Sequence, residues 1–155
     1  MEALDRHIVQ VLAQDGRISF ADLGRQVGLS TSAVHQRVKR LEERGIITGY
    51  RAVVDYTKVG LPLTALMSVT PFDPAADDDV PERLHDIEEI VACWSVAGDE
   101  NYVLLLRVAR PQDLEELFAR IRQQASVATN TTIVLSTPWE GRLGRLPVSD
   151  VGGGI

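Results

Sequence analysis

Residues 19–45 read SFADLGRQVGLSTSAVHQRVKRLEERG, and this stretch decides the fold. Two helix-forming runs flank a short break. Ser19 with Asp22 three residues on has the form of a capping box, in which a hydroxyl and an acid satisfy the free N–H groups of a first helical turn. Leu23 and Val27 then share one face. Gly28-Leu29-Ser30 breaks the run. Ser30 or Thr31 can cap a further helix that continues to about Arg44, where Gly45 ends it. Two helices separated by about four residues, with a Gly in the turn, outline a helix-turn-helix.

The second of these helices has two distinct faces. Ala33 or Val34, Val38 and Leu41 make its buried side. At about 100° per residue, Ser32, His35, Gln36 and Lys39 fall on one exposed stripe. Gln can read adenine and Lys can read guanine in the major groove, while Arg and Ser can hold phosphates. His35, Gln36 and Lys39 are therefore expected to face bases, and Ser32, Arg37 and Arg40 to hold phosphates. The competing reading makes Arg37, Lys39, Arg40 and Arg44 a solvated face offset by Glu42 and Glu43. The helix-turn-helix spacing favours DNA.

Outward from this core, Leu4, Ile8, Val11 and Leu12 predict an earlier helix ended at Asp15-Gly16, with Gly as its cap. Downstream, Ile46 to Val54 forms two short β-prone runs about Gly49, as a small wing would, and Arg51 could reach a phosphate from it. A winged helix-turn-helix over 1–54 follows.

Composition gives the frame for this module. The chain has 155 residues, 45% of them apolar and 25% charged, as in a soluble globular protein. No apolar run approaches the roughly 18 residues of a membrane span, and the N-terminus lacks signal-peptide order. One cysteine, Cys93, permits no internal disulfide, which points to the cytoplasm. The net charge of −6 conceals a split: residues 1–60 sum to +2 and residues 61–155 to −8. Phosphate contact thus belongs to the first part.

Residues 55–61 read as a linker and 62–146 as a second domain. Leu63–Thr70 is a strand, Pro81–Glu89 a helix, Val91–Ala97 and Tyr102–Ala109 strands about the turn Gly98-Asp99-Glu100-Asn101, Pro111–Gln124 a helix, and Val127–Thr137 a last strand. The order β-α-β-β-α-β is the ferredoxin-like arrangement, so the fold class is α+β. Leu104, Leu106, Val108 and Ile133 cannot all point into one helical layer, which predicts a homodimer through the sheet. Residues 147–155, with Gly152-Gly153-Gly154, read as a tail.

The stretches "LDRHIVQVLAQDGRISFADLGRQVGLSTSAVHQRVKRLEERGIITGYRAVVD" and "WSVAGDENYVLLLRVARPQDLEELF" resemble the Lrp/AsnC family of feast/famine regulators over nearly the whole chain. The resemblance implies DNA binding by dimers or larger assemblies, often octamers. It also implies a response to amino acids or related metabolites bound at subunit interfaces near the central turn. Gly98, Asp99 and Tyr102 match that motif region, and Thr132 matches a threonine early in the last strand. The motif's acid falls at Asn101 here. An amide complements an ammonium more weakly than a carboxylate does, so either Asp99 or Glu100 stands in for it, or the effector differs or is absent.

Simpler readings stand beside these. Gly98 suits any hairpin, Asp99 and Glu100 any solvated turn, Tyr102 and Thr132 ordinary strand packing. Asp77-Asp78-Asp79 lacks the Gly and distal Glu of a calcium loop. His7, His35 and His85 are scattered, and no nucleophile elbow, phosphate loop or metal cluster appears, so neither catalytic nor metal-binding residues nor a cofactor are expected. Sirohaem decarboxylases resemble this family in architecture, but the acidic second half offers few basic and histidine residues for a tetrapyrrole. An architectural DNA-organising protein with little sequence preference is the other alternative.

Overall fold

The computed structural model describes residues 1–73 and 79–147. Asp77 and Asp78 of the acidic triplet, and the Gly152–Gly154 run, lie outside the described residues. The chain forms two units, Met1–Val53 with residues 139–147, and Val54–Pro138.

In the first unit the helices are α1 (Ala3–Gln14), α2 (Phe20–Val27) and α3 (Thr31–Glu43). Their boundaries follow from local chemistry. The Ser19 hydroxyl accepts the Asp22 N–H at 3.0 Å and donates to the Asp22 carboxylate at 2.5 Å. Ser30 accepts the Ala33 N–H at 3.2 Å and so starts α3. Gly28 stops α2 in the left-handed conformation at φ +73°. The Leu29 N–H then donates to the Gly24 carbonyl at 2.9 Å. A Cβ on Gly24 would sit 2.6 Å from the Leu29 carbonyl oxygen, so only glycine lets the turn close on α2. Ile8, Leu12, Leu23, Val34, Val38 and Leu41 form the core. Each such side chain contributes roughly 1.5–3 kcal/mol by leaving water.

Two expectations change here. Asp15, not Gly16, closes α1: its backbone is extended at φ −137°, and its carboxylate accepts the Arg17 N–H at 2.9 Å. The wing is not formed, because residues 46–54 contain no strand. Ile46 and Ile47 owe their apolar character to packing on the helical core, while Val53 is 99% exposed.

The second unit contains β1 (Leu63–Pro71), α4 (Val80–Leu84), β2 (Ile90–Ser95), β3 (Tyr102–Val108), α5 (Pro111–Ala125) and β4 (Val127–Val134). The sheet order is β2-β3-β1-β4, with every neighbouring pair antiparallel, as in a ferredoxin-like fold. Asp113 starts α5 by accepting the Arg110 N–H at 3.0 Å. The helix expected over 81–89 stops at Leu84. Ile87 is buried through two successive turns, Ile87 N–H to Leu84 and Ile90 N–H to Ile87, so its inward position had mimicked helical spacing. The last strand ends at Val134, three residues before the expected Thr137.

The two faces of the sheet differ from the expectation. Leu104, Leu106 and Val108 alternate along β3, share one face, and are all buried in the same core as Leu114, Leu117 and Ile121. Ile133, opposite Ala65 in the register, lies on the edge strand β4 and is 41% exposed. The open face instead carries Leu66 opposite Leu105 and Trp94 opposite Val103. Leu66 and Trp94 are 38% and 48% exposed.

Candidate nucleic-acid interface and hairpin site

Helix α3 buries Val34, Val38 and Leu41 and exposes Ser32, His35, Gln36, Lys39 and Arg40 on the other side. The 3.6-residue period against the core fixes this division. The His35 ring packs on Phe20 of α2, with centroids 5.3 Å apart. Lys39 lies 3.7 Å from Glu43 in an exposed i,i+4 pair, which binds weakly. Among the described residues Arg40 and Arg44 form no ion pair.

Arg37 is placed differently from the expectation that it holds a phosphate. Its Nη1 donates to Asp5 at 2.7 Å and to Glu2 at 2.9 Å, both at the start of α1. Hydrogen bonds to Asp5, then Glu2, raise its pKa above the ordinary arginine value. The guanidinium thus has two carboxylate partners inside the unit. Arg51 is exposed in the segment after α3. The same segment is tied back to α3 by a contact that sequence reasoning missed: the Tyr50 hydroxyl donates to Glu42 at 2.9 Å. Burial, then Glu42, pushes the Tyr50 pKa up to about 12.

In the second unit, the turn between β2 and β3 is closed by the Val96 N–H donating to the Asn101 carbonyl at 3.0 Å. The Asn101 N–H in turn donates to Val69 of β1 at 3.1 Å. Gly98, Asp99 and Asn101 are exposed and Glu100 is half-buried. The structure does not bring the six hairpin-site candidates together. Tyr102 is opposite Val69, on the helix-covered face, and 6% exposed. Thr132 is opposite Leu66 on the open face, three rungs along β1 from Val69, or about 10 Å. A cavity of about 250 Å³ belongs to the first unit and is lined by Leu12, Ile18, Phe20, Arg17, Glu42 and Tyr50 among others. The 98–101 turn contributes nothing to it.

Comparison with known proteins bears on both units. Residues 1–42 match the AsnC-type helix-turn-helix domain, and residues 64–143 match the Lrp/AsnC ligand binding domain. The chain is 48% identical over 142 residues to the HTH-type transcriptional regulator LrpA of Mycobacterium tuberculosis, covering 92% of this chain and 95% of the relative. It is 35% identical over 119 residues to the leucine-responsive regulatory protein of Haemophilus influenzae, covering 76% and 72%. A solved feast or famine regulatory protein from M. tuberculosis, in complex with L-methionine, superposes with a TM-score of 0.90 at 48% identity, covering 92% of this chain and 97% of that one. The chain belongs to the Lrp/AsnC family of transcription regulators.

Proposed function

We propose that this protein is a sequence-specific DNA-binding regulator acting in the cytoplasm as a homodimer, with its DNA affinity set by an amino acid held near the 98–101 turn. The observation that carries the reading is the exposed stripe on α3. His35, Gln36 and Lys39 are the base-facing residues; Ser32, Arg40 and, from the following segment, Arg51 hold phosphates. Arg37 is left out because Asp5 and Glu2 already neutralise it.

The dimer closes over the sheet face that carries Leu66, Val103, Leu105 and Trp94. Burying these side chains offsets the cost of association, and a two-fold assembly presents two copies of α3. The amino-acid class of effector is supported by the relative solved with L-methionine. Asp99 and Glu100 supply carboxylates that suit an ammonium group, and the Asn101 side chain adds an amide. Tyr102 supports the turn from the core side. Thr132 lies too far along the sheet to act beside that turn within one chain, so it serves an effector only where two subunits meet. Effector and operator then affect each other's binding by the same factor, typically worth about 1–3 kcal/mol.

A fluorescence-anisotropy titration of DNA from the gene's own upstream region, with and without a pool of the twenty amino acids, tests this. Binding that shifts with the pool is expected. Binding that ignores it removes the effector, and no binding at low salt removes the regulator.

A further inference from the structure

The linker is not a free tether. Residues 55–61 fold into a compact turn in which the Lys58 N–H donates to Asp55 at 3.1 Å and the Leu61 N–H to Tyr56 at 2.8 Å. Tyr56, three residues beyond the end of the first unit at Val53, lies against the sheet. The Arg107 guanidinium sits 3.7 Å from the centroid of its ring. Arg107 is held in place from two sides. Its Nη1 donates to Thr64 at 3.4 Å, and its backbone N–H donates to Glu89 at 3.0 Å. Arg107 is opposite Thr64 in the register, two residues from the Leu66–Leu105 pair. The stack therefore occupies one end of the open face assigned above to the dimer.

We infer that Tyr56 and Arg107 are positioning residues for DNA recognition: their stack pins the linker to the sheet and so determines which half-site spacing a dimer accepts. The inference rests on the proposed function and concerns the geometry of that same DNA site. Chain reach supports it. From Val53 to the pinned Tyr56 the chain extends roughly 10 Å at most, whereas an unpinned linker running to Leu63 would extend roughly 33 Å. Moving one half-site by half a helical turn displaces it by about 17 Å along the duplex and turns it to the opposite side. Pinning at Tyr56 shortens the tether by seven residues and so narrows the range of such moves that the first unit can follow.

The experiment uses the full chain and a half-site recovered by selection from random DNA. Two copies are placed one helical turn apart, or shifted by half a turn. Wild type is expected to prefer one phase by about tenfold or more, as for linked sites whose tether must span a fixed distance. Tyr56→Leu and Arg107→Met should bring the two phases within about threefold of each other while leaving single half-site affinity unchanged. Tyr56→Phe, which keeps the aromatic face, should keep the wild-type ratio. Hydrogen exchange over 54–61 should quicken in Tyr56→Leu alone of the two tyrosine variants. A wild-type ratio in Tyr56→Leu and Arg107→Met, or no phase preference in wild type, overturns the inference. Failure of wild type to bind any DNA overturns the regulator reading beneath it.

Discussion

Arg37 of α3 and Asp5 of α1 are joined by a 2.7 Å hydrogen-bonded ion pair across 32 residues of sequence. Asp5 is 9% exposed, so its carboxylate depends on this partner rather than on water. The pair links the start of α1 to the middle of α3. Removing the charge leaves Arg37 with Glu2 alone. Asp5→Asn should therefore destabilise the first unit by about 2 kcal/mol, less than the 3–5 kcal/mol of a fully buried pair, because Arg37 keeps a partner and some solvent. Urea denaturation measures this, and a midpoint unchanged from wild type would contradict it.

The same pair divides the basic residues of α3 by their use. A lysine or arginine that neutralises a phosphate contributes about 0.9 to the slope of log affinity against log salt. Arg40→Ala should lower that slope by about 0.9 and weaken operator and random DNA alike. Arg37→Met should leave the slope at its wild-type value, even if the variant melts earlier. Salt titrations by anisotropy, at a temperature where both variants are folded, separate the cases. A slope lowered equally in both would return Arg37 to the DNA surface.

These residues also show what could be read in advance. The faces of α3 were legible because Val34, Val38 and Leu41 keep a 3.6-residue period and Ser30 and Gly28 mark its edges. The pairing of Arg37 was not legible because Arg37 flanks the exposed stripe on a helical wheel, and no local pattern reveals Asp5 on another helix. The alternation of Leu104, Leu106 and Val108 by two already implied a single face. Counting apolar residues without that parity assigned part of the helix-covered core to the open face, where Leu66, Val103 and Leu105 lie. Tyr102 and Thr132 were grouped by the family motif. Only the register shows them on opposite faces of the sheet. The wing was lost for a related reason: Ile46 and Ile47 are apolar because they close a helical core, a tertiary demand that looks like strand propensity in one dimension.

Two helix starts rest on carboxylates held in their charged form. The Ser19 hydroxyl, with Arg25 nearby, keeps Asp22 below its ordinary value of 3.8. The Arg110 guanidinium does the same for Asp113. A lowered folded-state pKa means that the unfolded chain binds the proton more readily. The stabilisation is complete above the ordinary carboxylate value and is lost as pH falls through the lowered ones. The urea midpoint of wild type should fall below about pH 4. Asp22→Asn with Asp113→Asn should show a shallower acid limb, with its deficit confined to higher pH. Parallel curves for the two proteins between pH 2 and 5 would contradict the assignment.

The open face of the sheet offers the most direct check on assembly. Leu105 is opposite Leu66 at the centre of that face, and neither takes part in the helix-covered core formed around Met67, Leu104 and Leu106. A carboxylate at this point costs little in a monomer, where water reaches it. In a two-fold dimer each copy would bury the new charge without a partner, at a cost of several kcal/mol per ion. Leu105→Asp should therefore keep the wild-type far-ultraviolet circular dichroism while sedimenting as a monomer of about 17 kDa. Its affinity for a single half-site should persist while the gain from a second, correctly spaced half-site disappears, because that gain requires two linked copies of α3. A variant that still sediments as a dimer would move the interface to another surface. Such a result would also detach the Tyr56–Arg107 stack from any role at its rim.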